Sequence, residues 1–156
     1  MKAKDFIHRL RAFSALNRTL PILVGEHAKN FFIKSFKNQG FEDNGVKKWQ
    51  ARKGEIGVGG LSRIKKKTKS SRAILIGEGS GNLMKSIRIE SASMRRIKIV
   101  SDVDYAKIHN EGLMGKAWGK HPFKMPKRQF IGKSATLNRE ITDIITKNIK
   151  KALLGR

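Results

Sequence analysis

A chain of 156 residues, 38% of them hydrophobic, is long enough to bury a core and is expected to form one domain over residues 1–156. Cysteine is absent, which excludes disulfides and thiolate metal sites, and no apolar run approaches the ~20 residues of a spanning helix. A net charge of +23 excludes an ordinary near-neutral surface and points to a polyanion, nucleic acid before membrane.

The first seven residues lack the apolar region of a signal peptide, so a cytosolic product is expected. Phe6, Ile7, Leu10 and Phe13 fall at helical spacing. Asn17 to Leu20 then interrupts, and Pro21 fits the first turn of a second helix capped by Thr19 or Leu20. Val24, Ala28, Phe31, Phe32 and Phe36 mark the core face of that helix, and Gly40 ends it. Phe41 to Trp49 reads as a turn-rich link around Asn44-Gly45. Trp49 is either an anchor on the body or an exposed contact.

The charge is uneven. Residues 47–72 carry ten basic residues and one acidic, residues 113–133 six and none, and residues 73–112 six against five. This predicts a near-neutral body with basic appendages. The stretch 47–72 has few large apolar residues and is expected to be a flexible loop. It is either a solvated loop or a phosphate-contacting arm; its like charges repel unless neutralised, which favours the arm. The candidate contacts are Lys47, Lys48, Arg52 and Lys53 at one end, and Arg63, Lys65, Lys66, Lys67 and Lys69 at the other.

Ala73 to Ile76 reads as a short strand or an extended lead-in, followed by a short helix at Leu83 and Met84 capped by Ser80 or Asn82. Ile87, Ile89, Ile97 and Ile99 alternate with polar residues across Ala92 to Arg95, which predicts an antiparallel hairpin facing the core. Asp102 or Asp104 is the expected cap of a short helix from Tyr105 to Asn110, closed by Gly112 in the left-handed region. Residues 113–124 read as a loop, and Lys127 to Ile131 as extended after Pro126. Leu137, Ile141, Ile144, Ile145, Ile149, Ala152 and Leu153 form one stripe of a final amphipathic helix. The fold class expected is α+β: N-terminal helices, a small antiparallel sheet with a hairpin, a short central helix and a C-terminal helix.

No catalytic constellation is apparent. His8, His27, His109 and His121 make no metal-binding spacing, although His109 and His121 could meet in space. His109 is more simply a hydrogen-bonding residue that ties the short helix to the following loop. The Gly-rich stretches at 57–60 and 77–81 match neither a phosphate-binding loop nor a dinucleotide fingerprint. No cofactor, metal site or enzymatic activity is expected.

An ordered set of motifs carries a resemblance. Phe41 and Trp49 come first, then Arg72 to Ile76, then Gly81, Leu83, Ser86 and Ile87. Tyr105-Ala-Lys-Ile-His-Asn-Glu-Gly112, Met125-Pro-Lys-Arg-Gln-Phe-Ile-Gly132 with Ser134, and an amphipathic helix follow. Over residues 20 to 153 this resembles the phage virion morphogenesis or tail completion proteins of Mu-like and P2-like phages and prophages. Val46 and Gln129 depart from that pattern, which has a Pro near the first and a small residue or Pro at the second.

The resemblance implies a structural role in head–tail joining or tail completion. It implies a homo-oligomeric ring around the DNA path, a hexamer being one form, with phage neck or tail proteins as partners and no membrane. Such a protein is made in the host cytoplasm and ends in the virion, and its basic loops would touch double-stranded DNA non-specifically. Tyr105, His109, Gly112, Pro126, Arg128, Phe130 and Gly132 become structural motif residues, with Phe130 buried and Arg128 paired to Glu111 or Asp104. Charge alone supports the alternative, a stand-alone basic nucleic-acid-binding protein.

Overall fold

One helix sets the architecture. In the computed structural model, which describes residues 3–51, 73–76, 80–117 and 121–154, α1 (Ala3–Asn38) spans 36 residues. Its Leu20, Val24, Ala28, Phe31, Phe32 and Phe36 are buried at spacings of one, three and four residues. The break expected at residues 17–20 is absent. Thr19 does not cap a second helix; its Oγ1 donates to the Ala15 carbonyl at 3.3 Å, as a hydroxyl does inside a helix. Pro21 removes one backbone hydrogen bond, but it is buried, and that packing offsets the loss. Upstream of Leu20 the stripe is bare: Ile7, Leu10 and Phe13 are exposed.

Gln39, at φ 50°, rather than Gly40, ends α1. Gly40 instead opens a hairpin where a link was expected. β1 (Gly40–Glu42) pairs antiparallel with β2 (Val46–Lys48) across Asn44 and Gly45, both at positive φ. Such a turn matches the right-handed twist of the strands. A Cβ at Gly40 would lie 2.6 Å from the Lys47 carbonyl, so the strands approach this closely only with glycine there. Trp49 follows, buried, which answers the question left by its sequence context.

Where a short strand or an extended lead-in was expected at Ala73–Ile76, the chain makes a turn, with Leu75 at φ 62°. The Gln39 amide holds it, donating to the Phe36 carbonyl at 2.6 Å and accepting from the Ile74 N–H at 2.5 Å. α2 (Asn82–Lys85) is capped by neither Ser80 nor Asn82; Gly81, in the left-handed region, occupies the cap position. The predicted hairpin is present as β3 (Ile87–Ala92) and β4 (Ile97–Ser101), antiparallel, with a register shift between Ile89 and Ser91. Ile87 is buried and Ile89, Ile97 and Ile99 are half-buried.

α3 (Ala106–Glu111) starts without a side-chain cap. Asp102 is engaged instead by Arg88, whose guanidinium holds the carboxyl below the usual carboxylate range. The loop expected at 113–124 contains a third antiparallel hairpin, β5 (Met114–Ala117) with β6 (His121–Lys124). Gly115 makes it close-packed: a Cβ there would lie 2.7 Å from the Phe123 ring. α4 (Ala135–Leu154) is the helix the periodicity predicts, with Leu137 buried, Ile141 to Ala152 half-buried along the stripe, and Leu153 exposed. It lies against α1, where His27 Nε2 donates to Glu140 at 2.8 Å.

The class is α+β, built from three two-stranded sheets among the described residues rather than one small sheet. A single cluster joins Phe31, Phe32 and Phe36 to Phe41, Trp49, Leu83, Ile87, Phe130 and Leu137.

Candidate functional site

The two motifs form one joint. The His109 carbonyl accepts from the Arg128 N–H at 2.8 Å. Asn110 Oδ1 accepts from two successive backbone donors, Phe130 N at 2.9 Å and Ile131 N at 3.0 Å. The segment after Pro126 joins no strand, so these bonds satisfy amides that a sheet would otherwise pair. Met125 N donates to the Leu113 carbonyl at 3.1 Å. Gly112 closes α3 at φ 73°, and a Cβ there would lie 2.9 Å from Lys127 Cα. Both the backbone angle and the close approach require glycine at this point.

Phe130 is 1% exposed and packs on Phe36 with ring centroids 5.2 Å apart. Trp49 meets Phe36 edge-on at 5.5 Å, and its Nε1 donates to the Gln129 carbonyl at 2.7 Å. The Trp49 and Pro-x-Arg-x-Phe signals are thus two sides of one contact. A Cβ at Gly132 would fall 2.3 Å from Gln129 Nε2, so the small residue makes room for that side chain.

Arg128 is 7% exposed, and its Nε and Nη2 both donate to the Gln50 carbonyl at 3.2 Å. A backbone carbonyl stands where Glu111 or Asp104 was expected. The reason is local: the Gln50 carbonyl, next to the buried Trp49, lies within reach of two guanidinium nitrogens at once. The His109 ring does not make the predicted tie either. Its Nδ1 is buried without a hydrogen-bond partner, and the tie runs through the backbone carbonyl. Burial, then the nearby Arg128 charge, lowers the pKa of His109, so the ring is neutral near pH 7. Tyr105 is exposed and meets His109 edge-on at 5.9 Å; it does not pack into the sheet.

The first hairpin clamps the start of α4. Ser134 Oγ donates to the Glu42 carbonyl at 2.8 Å and accepts from Leu137 N at 3.1 Å, an N-cap. Asp43 accepts from Ala135 N at 2.9 Å, and that bond, followed by Lys47, lowers its pKa. Arg139 donates to Asn44 Oδ1 at 2.9 Å.

Of the proposed phosphate contacts, Lys47 and Lys48 lie on exposed β2. They border a cleft of about 330 Å³ that Lys127 and Lys133 also line. Arg52, Lys53, Arg63, Lys65, Lys66, Lys67 and Lys69, with residues 52–72 of the loop expected there, and the side chain of His121 lie outside the described residues. Among the described residues no group of three metal-ligating side chains forms, and no helix is long and apolar enough to cross a membrane.

The sequence model of the phage virion morphogenesis family matches residues 3–150. The chain belongs to that family. Neither a curated protein nor a solved structure matches it. The family is one of virion assembly and not an enzyme family, which places the chain among phage assembly proteins.

Within this family member, sequence reasoning missed the functions of Asn110, Ser134, Asp43 and the Gln50 carbonyl. Asn110 and Ser134 stood inside the motifs without a role. No local signal marked Asn110, because its partners Phe130 and Ile131 lie 20 and 21 residues on. For Ser134 the signal was its place immediately before the periodic stripe of α4. The Gln50 carbonyl carries no side-chain signal at all.

Proposed function

We propose that this protein is a structural component of head–tail joining or tail completion that forms a homo-oligomeric ring around the DNA path. The observation that carries the reading is the joint itself. The paired motifs bond to one another's backbone, with Asn110 bridging to Phe130 and Ile131, which makes them one structural unit. Residues 1–156 act as one domain, with the basic stretch 47–72 turned to the DNA. Two features support the ring. The apolar stripe of α1 runs past its own body through Ile7, Leu10 and Phe13, leaving a face for a second copy. The charge of +23 suits subunits gathered around a polyanion, with contacts to phosphates that read no sequence. The other partners are phage neck or tail proteins. The protein is made in the host cytoplasm and stays in the virion.

Deletion of the gene from the phage, with complementation from a plasmid, tests this. The expected result is DNA-filled heads and unjoined or incomplete tails by electron microscopy, restored to infectious particles by the wild-type gene. Wild-type titres from the deletion would overturn the assembly role and favour a stand-alone nucleic-acid-binding protein.

A further inference from the structure

Three separate parts of the chain converge at the cleft of about 330 Å³: β2, the segment around Arg128, and the approach to α4. Lys47, Lys48, Lys127 and Lys133 line it, and among its lining residues the acidic group is Asp43. Asp43 is already engaged by the Ala135 N–H and by Lys47. The floor is fixed, because Trp49 is buried and tied to the Gln129 carbonyl. Lys48 Nζ donates to the Asn38 carbonyl at 2.7 Å, which carries no full charge. Among the described residues the fold therefore gathers more positive charge here than it neutralises.

Like charges held close repel, and an anion that enters relieves the repulsion. The chemistry narrows the ligand. Lysine ammonium groups act as point charges without the planar fork that reads a base edge, so they suit phosphates irrespective of sequence. The cations are contributed from several sides of an open cleft, which suits an extended polyanion better than one enclosed ion. We propose that this cleft is a seat for the sugar–phosphate backbone of double-stranded DNA, with Lys127 and Lys133 as contacts beside Lys47 and Lys48. The proposal rests on the reading that the protein works around DNA, and it assigns that contact to a defined surface containing two residues of the second motif region.

Fluorescence anisotropy of the full-length protein on a labelled duplex, across a salt series, tests it. Each phosphate contact contributes about 0.9 to the slope of log K against log salt. The variant Lys127→Gln/Lys133→Gln should therefore flatten the wild-type slope by about two. A charge-matched variant, Arg95→Gln/Arg96→Gln at the tip of the β3–β4 hairpin, should leave it unchanged. Equal flattening by both pairs overturns the cleft in favour of the field of the whole molecule. Displacement of the duplex by polyglutamate as readily as by unlabelled duplex overturns DNA in favour of an acidic protein.

Acetylation footprinting of the wild-type protein gives the same answer without any substitution. Bound duplex should shield Lys127 and Lys133 and leave Lys150 and Lys151 reactive; full reactivity of the first pair at saturation overturns the proposal. An unchanged slope in a variant that still supports phage growth sinks the cleft and leaves the assembly role intact. Normal DNA binding with wild-type titres from the deletion does the reverse.

Discussion

At the scale of single residues, Asn110 shows how a motif position earns its identity. Its Oδ1 serves the Phe130 and Ile131 amides, which lie beside a nearly fully buried ring. Removing the acceptor leaves two part-buried donors without their partner, at roughly 1–3 kcal/mol for each that water does not reach. Asn110→Ala should thus lower stability by about 2 kcal/mol or more, read as a fall in the urea midpoint with an unchanged slope. Asn110→Asp keeps the acceptor and should recover most of the loss. An alanine variant as stable as wild type would show that the joint is held by Phe130 packing alone. The residue types of this joint were legible in the sequence, Gly112 as a helix-ending glycine and Arg128 and Phe130 through the family resemblance. Their partners were not, because Arg128 and Trp49 bond to backbone carbonyls, and every residue has one of those.

At the scale of elements, periodicity read the long stripes correctly and the short pieces poorly. α4 and the β3–β4 hairpin appear where their apolar spacing predicts them. Pro21 misled, because a proline signals a helix start only where no neighbouring packing holds the helix through it. The first and third hairpins were missed for a different reason. Their strands are three and four residues long, too short for alternation to register.

Gly25 is the element-scale test. It lies mid-helix in α1, and a Cβ there would stand 3.1 Å from Ile89 Cδ1 and 3.4 Å from Ile97 Cγ2. The glycine lets the β3–β4 hairpin settle on the helix. Gly25→Leu should push the hairpin away and lower stability by about 1–3 kcal/mol, despite the better helix propensity of leucine. Thermal denaturation with circular dichroism measures it. A rise in melting temperature would mean that the hairpin is not seated on α1.

At the scale of the whole molecule, charge dominates. A net +23 opposes compaction through self-repulsion, and the ion pairs of the described residues, such as Lys34 with Glu42, are surface pairs of small individual worth. Salt screens both, and repulsion among so many cations outweighs a few exposed pairs. Raising sodium chloride from about 50 to 500 mM shortens the Debye length from roughly 14 to 4 Å. It should raise the melting temperature of the free protein by a few degrees. A fall would show that the exposed pairs govern.

The sequence by itself determined the class, the family and the places where charge accumulates, because each of these is carried by side-chain type and spacing along the chain. Tertiary structure alone decided that Trp49 and Gln50 serve the second motif, that Asn110 replaces a missing strand partner, and that Lys127 and Lys133 come to stand beside Lys47 and Lys48. Those relations join residues about 80 positions apart, or 20 in the case of Asn110, and rest largely on backbone atoms common to every residue. Such contacts exist only once the hydrophobic cluster has brought distant segments together.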